Sequence, residues 1–252
     1  MTVLTQRVVS PEEYDRAEAE FFRQETIEDM SESADSFTQR AITLSALHDL
    51  KTLHFPEMEI FNEFMLIYTL PKGLGRVTPD NFITLGLPPQ KWKSSFPVTD
   101  VQLPFWVLEY VSPPTQNKDY VKSFGKYENL QIPYCTLFDP SVQKLTMFQH
   151  NGHRYEPMLL DERRRYLISE LDLHIGLLDG WMRFWFRGQL LPTAAEAALQ
   201  REGDALKMAE SRERNRRRVT KLATTAGRTD IVALVEQANA DQLEQWLDEL
   251  TG

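Results

Sequence analysis

Apolar residues recur at helical spacing between Ser36 and His54, where Ile42, Leu44, Leu47, Leu50 and Leu53 predict an amphipathic helix. The residues before it, 1–36, are polar and acidic and read as a loosely held arm with helix over Pro11 to Arg23. From Phe55 the period changes. Phe61 to Tyr68 is a run of strand formers, Pro71 to Gly75 is a turn, and Phe82 to Leu85 is a second short strand ended by Gly86-Leu87-Pro88-Pro89. Phe105 to Val111 is almost continuously apolar, which predicts a central strand buried on both faces. Ser112-Pro113-Pro114-Thr115 stops it. Lys118 to Leu130 reads as a helix, with Val121, Phe124 and Leu130 as its apolar residues, and Tyr134 to Phe138 as a fourth strand closed by Asp139-Pro140. Lys144 to Gln149 and Arg154 to Met158 flank Asn151-Gly152, the strongest short hairpin signal in the chain.

The later pattern is of two kinds. Leu177 to Leu191 is dense in aromatics, whose Trp and Phe are expected to cap the edge of the sheet; an amphipathic band for a membrane is the rival reading. From Thr193 the chain turns Ala/Glu/Arg-rich and helical to about Lys221. Leu199 and Leu206 fit a heptad before charges intrude, so a coiled coil stays open. Thr229 to Leu250 reads as two short helices, with Asp241 and Glu244 at capping-box spacing before the second. The pattern thus divides the chain into an acidic arm (1–36), an α/β domain (37–192) and a charged helical tail (193–252) able to serve oligomerisation.

Composition narrows the class. The 252 residues are 42% hydrophobic and 26% charged, as in a globular protein able to bury a core. No apolar run reaches the length of a bilayer span, and the N-terminus lacks the apolar stretch of a secretory signal, so the expectation is a cytoplasmic protein of bacterial type, away from membranes. The single cysteine, Cys135, excludes an intrachain disulfide and a cysteine zinc site, and reads as a buried small hydrophobe. A net charge of −9 argues against a general nucleic-acid binder. The excess acid is concentrated between Glu12 and Asp35, however, while Arg212 to Lys221 is basic. That basic run reads either as a solvated helix face or as a nucleic-acid contact.

One acidic pair could carry chemistry. Asp80 opens a short strand after Thr78-Pro79, and Glu109 lies inside the most apolar strand of the chain. A carboxylate buried there costs several kcal/mol (~2–7) unless it is paired or bound to a cation. Two carboxylates on adjacent strands make a seat for Mg²⁺, which prefers a few carboxylates together with water and phosphate oxygens. The competing reading makes Asp80 a turn residue and pairs Glu109 with a neighbouring Lys or Arg. His48, His54, His150, His153 and His174 make no zinc spacing with Cys135, and Gly73-Leu74-Gly75 lacks the rest of a phosphate-loop fingerprint.

Thr78-Pro79-Asp80, Val107-Leu108-Glu109-Tyr110-Val111-Ser112-Pro113, Lys118-Asp119-Tyr120, Lys126-Tyr127-Glu128, Ile132-Pro133-Tyr134 and Leu137-Phe138-Asp139-Pro140 follow one another in order. Together, over roughly residues 40–192, they resemble the Uma2 family of restriction-type endonucleases, also called the DUF820 family, within the PD-(D/E)XK nuclease superfamily. Leu177-Leu178-Asp179-Gly180-Trp181 resembles the segment that closes the domain in one branch of that family. The resemblance implies a restriction-endonuclease-like α/β core, a central mixed sheet flanked by helices, followed by a helical C-terminal tail. It implies a metal-dependent endonuclease that hydrolyses phosphodiester bonds in DNA, with Asp80 and Glu109 holding Mg²⁺, or Mn²⁺ in its place.

The chain departs from that family's pattern at the lysine. The superfamily position, two residues after the acid, is Val111, and the displaced position, four residues before the helix tyrosine Tyr127, is Ser123. Lys126 shares the Ser123 helix face to within about 60° and is the expected surrogate, with Lys122 second. Asp49, Glu59 and Glu63 are near enough to be weighed as a third acid, which stays unassigned. DNA is the expected partner, though the sequence does not separate it from RNA, and a homodimer or higher homo-oligomer is expected. The alternative is a catalytically degenerate nucleic-acid-binding or assembly module of a defence or mobile-element system.

Overall fold

The computed structural model describes residues 34–71, 73–87, 95–111 and 119–251, and for residues 119–122 the backbone alone. The acidic arm up to Ser33 with its expected helix, the Ser112 to Thr115 stop, Lys118 and the side chain of Lys122 lie outside the described residues. In chain order the first part holds α1 (Ala34–Leu53), β1 (Glu59–Asn62), β2 (Met65–Leu70), β3 (Gly73–Val77), β4 (Asn81–Thr84), β5 (Ser95–Pro97), β6 (Trp106–Tyr110), α2 (Asp119–Asn129) and β7 (Tyr134–Asp139). Then come β8 (Lys144–His150), β9 (Tyr155–Pro157), β10 (Arg165–Ile168), β11 (Leu173–Leu178), β12 (Trp181–Phe186) and β13 (Gln189–Leu190).

The expected α/β class is what the structure has. Six strands form a mixed sheet in the order β1-β4-β6-β7-β8-β9, in which β6 and β7 run parallel and the other neighbours antiparallel. A parallel pair needs a crossover, and α2 supplies it. β6 sits third of six, and its alternating side chains explain its unbroken hydrophobicity. Trp106, Leu108 and Tyr110 enter one buried cluster with α1 residues Ala46, Leu47 and Leu50. Val107 enters the other, with Tyr127 of α2. β7 repeats this, with Tyr134 and Phe138 on the first side and Cys135 and Leu137 on the second. Cys135 is fully buried, as its apolar flanks imply.

Two smaller sheets complete the two clusters. A three-stranded sheet, β3-β2-β5, sends Leu66, Tyr68, Val77 and Phe96 into the α2-side cluster. It arises because the Phe61–Tyr68 run is not one strand. Glu63 takes a left-handed conformation (φ 46°), a setting that costs a non-glycine residue about 1–2 kcal/mol. This corner ends β1 and hands β2 to the other sheet. Gly75 is required where β3 passes β2: a Cβ there would overlap the Tyr68 ring.

The aromatic segment does not cap a sheet edge. It builds a second sheet, β10-β11-β12-β13, whose Met182, Phe184 and Phe186 are buried in the α1-side cluster. Its hairpin closes with Leu178 opposite Trp181 across Asp179-Gly180, both at positive φ (53° and 83°), the type I′ geometry. The Gln39 side-chain amide of α1 ties on to this sheet through both of its ends. Nε2–H donates to the Met182 carbonyl at 3.0 Å, and Oε1 accepts from the Met182 N–H at 2.9 Å. Among the described residues no helix is long and apolar enough to cross a membrane.

The chain divides between Thr193 and Ala194 into two compact units. The second contains α3 (Ala194–Thr225), α4 (Thr229–Leu234) and α5 (Ala240–Thr251), with a small core of Val219, Ala223, Ile231, Val235, Ala238 and Leu243. The basic run is partly consumed inside it. Arg212 donates to the Ala238 carbonyl, and Arg216 to the Val235 and Glu236 carbonyls, so these guanidiniums cap a chain reversal. The capping box before α5 is Asn239 with Gln242, each side chain bonding the other's N–H, and not Asp241 with Glu244.

Candidate functional site

Sheet register assembles the site. Asn62 lies opposite Asn81, and Asn81 opposite Leu108. One step further along the same ladder are Glu63, Asp80 and Glu109, three acids on one rung at the end of the strands. The Glu63 N–H donates to the Asp80 carbonyl at 3.0 Å, which carries the rung past the end of β1.

Alternation sends Glu109 to the same side as Val107, toward α2. There its carboxylate accepts a short hydrogen bond from the hydroxyl of Tyr127, a residue with no exposed surface. Burial, and then the charge of Glu109, push the Tyr127 hydroxyl well above its ordinary pKa, so it remains a donor. Ser123, four residues before Tyr127, falls on the same helix face. Lys126, about 100° round the helix from Tyr127, donates from Nζ to the Arg76 carbonyl of β3 at 3.1 Å.

Asp80 is held from three directions. Its Oδ2 accepts from the Tyr110 N–H at 2.7 Å, its Oδ1 from Arg40 Nη2 at 2.9 Å, and it hydrogen-bonds Glu109. Burial raises the Asp80 carboxyl above the usual aspartate range, against the lowering pull of the Tyr110 N–H, the Arg40 charge and the Glu109 bond. Two carboxyls in contact require a shared proton or a cation, and Arg40 supplies one positive charge to the three acids of the rung. Behind them, Tyr110 Oη lies 2.6 Å from Asn81 Oδ1 and 2.9 Å from Thr43 Oγ1. The amide oxygen only accepts, so the tyrosine donates to Asn81 and receives from Thr43. This buried network fixes β6 against β4 and α1 below the acid pair.

Arg40, from the second turn of α1, is 8% exposed and reaches both acids that flank the corner. Its Nη1 donates to Glu63 Oε1 at 2.8 Å while Nη2 holds Asp80. Neither Arg40 nor Tyr127 was marked by the sequence pattern as part of the site, although Tyr127 was its helix landmark. The structure thus places Asp80 and Glu109 side by side with Glu63 on the same rung, and gives Lys126 a bond to the Arg76 carbonyl.

Among the described residues no group of three or more His, Cys, Asp or Glu side chains is arranged to hold a metal ion. The pair nevertheless fits a hard divalent ion. Both donors are carboxylates, they touch, and Mg²⁺ commonly takes only one or two protein carboxylates, completing its shell with water and phosphate. A thiolate or imidazole set for zinc is absent from this rung.

The raised Asp80 value sets a pH dependence. The folded state holds this proton more tightly than the unfolded chain, so its contribution is present below the ordinary aspartate value and is lost as pH rises through the raised one. In EDTA, the stability of the protein relative to Asp80→Asn should therefore fall as pH climbs from the ordinary aspartate value through the raised one. Urea melts at several pH values would read this, and a constant difference would contradict it.

A family model named Uma2 and described as "Putative restriction endonuclease" matches residues 11–179. No curated protein sequence matches. Four solved chains match. One is described as a putative nuclease belonging to DUF820 from Anabaena variabilis ATCC 29413, at 13% identity and a TM-score of 0.40, covering 50% of this chain and 68% of that one.

Proposed function

Because the chain belongs to the Uma2 family of putative restriction endonucleases, we propose that the Asp80–Glu109 rung is the centre of a divalent-metal-dependent endonuclease acting on DNA. The observation that carries this reading is two carboxyls in contact at the end of a buried strand pair, a costly arrangement that a cation relieves. Asp80 and Glu109 would hold Mg²⁺ or Mn²⁺. When bound there, such an ion lowers the pKa of water and offsets charge on the phosphate.

The chain's own residues do the rest. The Tyr110 N–H and the Tyr127 hydroxyl each fix one oxygen of a carboxylate, and Arg40 holds the other oxygen of Asp80. The Tyr110–Asn81–Thr43 network keeps that geometry rigid. Lys126 lies on the same turn of α2 as Tyr127, and its ammonium assists by offsetting phosphate charge.

A second reading, a degenerate binding or assembly module, is favoured by Ser123 and Val111 at the lysine positions and by Arg40 already balancing Asp80. Cleavage separates the two. Supercoiled plasmid, single-stranded DNA and RNA are incubated with Mg²⁺, Mn²⁺ or EDTA. The nuclease reading expects nicking or linearisation of the plasmid with metal and none in EDTA, and a slower but metal-binding Lys126→Ala protein. No cleavage of any substrate, in a preparation that binds metal, would favour the module.

A further inference from the structure

We infer that Arg40 is a positioning residue that serves as an internal counter-cation for the acid rung, and that a divalent ion must displace it from Asp80 onto Glu63. The inference rests on the metal reading above and deepens it by assigning what sets the affinity of the site.

The geometry is a shared fork. One guanidinium nitrogen holds Asp80 at 2.9 Å and the other holds Glu63 at 2.8 Å, so a single charge spans two of the three acids. The two acceptors differ in setting. The Asp80 side chain is 25% exposed and touches Glu109, whereas the Glu63 side chain is 56% exposed at the strained corner between two sheets. Without a cation, the rung would bring three carboxylates together with nothing to balance them, and Arg40 supplies that balance. A divalent ion arriving at Asp80 and Glu109 then meets a fixed positive charge on the same aspartate, and like charges a few ångströms apart repel. A buried guanidinium that gives up a carboxylate is costly unless another carboxylate holds it. Glu63 removes that cost, because Arg40 can release Asp80 and still keep one carboxylate. Arg40 therefore lowers metal affinity, and Glu63 partly restores it by offering the released guanidinium a place to go.

The two residues thus make opposite predictions, which distinguishes them from ligands. Mn²⁺ is titrated calorimetrically into the full chain for wild type, Arg40→Met, Arg40→Lys, Glu63→Gln and the double variant Arg40→Met/Glu63→Gln, with the metal-induced rise in Tm as a second readout. Arg40→Met should bind Mn²⁺ roughly tenfold more tightly than wild type, a coupling of ordinary size, and show a larger rise in Tm. Arg40→Lys, which keeps a charge, should stay near wild type. Glu63→Gln should bind several-fold more weakly, and that loss should vanish, to within about twofold for a screened exposed charge, when Arg40 is already Met. Mn²⁺ binding in Arg40→Met but not in wild type would also support the inference.

Unchanged or weaker binding in Arg40→Met, with wild type binding normally, overturns it. Weakening by Glu63→Gln in both backgrounds overturns it too, and makes Glu63 a ligand. If Arg40→Met does not fold, unchanged or tighter binding in Glu63→Gln still overturns the inference, because Glu63 is exposed and its variant should fold. Absence of binding in every variant removes the metal reading itself, and this inference with it.

Discussion

Plasmid cleavage by a Glu109→Ala protein is expected to fall by at least about 100-fold, the upper end of the roughly 10–100-fold loss seen when even a supporting partner of a metal ligand is removed. The same loss is expected for Asp80→Ala. Glu109 has two duties, and they can be separated. It is the proposed ligand, and it is the acceptor for the fully buried Tyr127 hydroxyl. Alanine removes both and leaves that hydroxyl without its acceptor, at a cost of about 1–3 kcal/mol. Glutamine keeps a carbonyl oxygen for Tyr127 but loses the charge. Glu109→Gln should therefore match Glu109→Ala in lost cleavage while melting nearer to wild type. Activity within tenfold of wild type in Glu109→Gln would dismiss the carboxylate as a ligand. Equal destabilisation by the two substitutions would instead dismiss the Tyr127 bond as a contributor.

The largest effect on stability is expected at Trp106. Its ring has no exposed surface, sits in β6 between β4 and β7, and meets Phe184 of the second sheet edge-on with centroids 6.1 Å apart. Its indole N–H donates to Thr136 Oγ1 at 2.8 Å, so the polar atom is satisfied inside the core. Trp106→Ala loses the largest side chain at the junction of two sheets and opens a cavity, for which about 3–5 kcal/mol is the ordinary cost. Against a typical total of about 5–15 kcal/mol that is a large share. Trp106→Phe refills most of the volume and should recover more than half of it. Urea denaturation followed by far-UV circular dichroism measures both. A loss below 1 kcal/mol in Trp106→Ala would mean that the two sheets do not pack through this residue.

How much of this was legible in the sequence depended on the range of the interaction. The β6 strand was readable because burial on both faces leaves an unbroken apolar run, and Glu109 stood out against it. Asp80 was readable by its place before the second strand, and the Asn151-Gly152 hairpin by its turn chemistry. Glu63 was not assigned because a continuous run of strand formers conceals a left-handed corner: nothing local to Phe61–Tyr68 announces that the chain changes sheets. Arg40 resembles any charged residue on an amphipathic helix, and its meaning comes from a rung set by strands 23 to 40 residues away. The aromatic segment, by contrast, carried a usable signal. Asp179-Gly180 between Leu177-Leu178 and Trp181-Met182 is a two-residue hairpin signature, and Arg187-Gly188 closes the next turn with both residues at positive φ. The density of aromatics drew attention from the turns. The Asn239–Gln242 box was missed for a similar reason, since Asp241 and Glu244 have the same spacing two residues later.

The double hydrogen bond between Gln39 and Met182 joins residues 143 positions apart. At a synthesis rate of about 5–20 residues per second, α1 leaves the ribosome some 7–30 s before the strand that covers it exists. During that interval Leu47, Leu50 and the Gln39 amide have no native cover on this side, and neither β10 nor β12 can supply it early. Helix α1 is thus made well before the strand that seals it, so the α1 side of the core closes only late in synthesis.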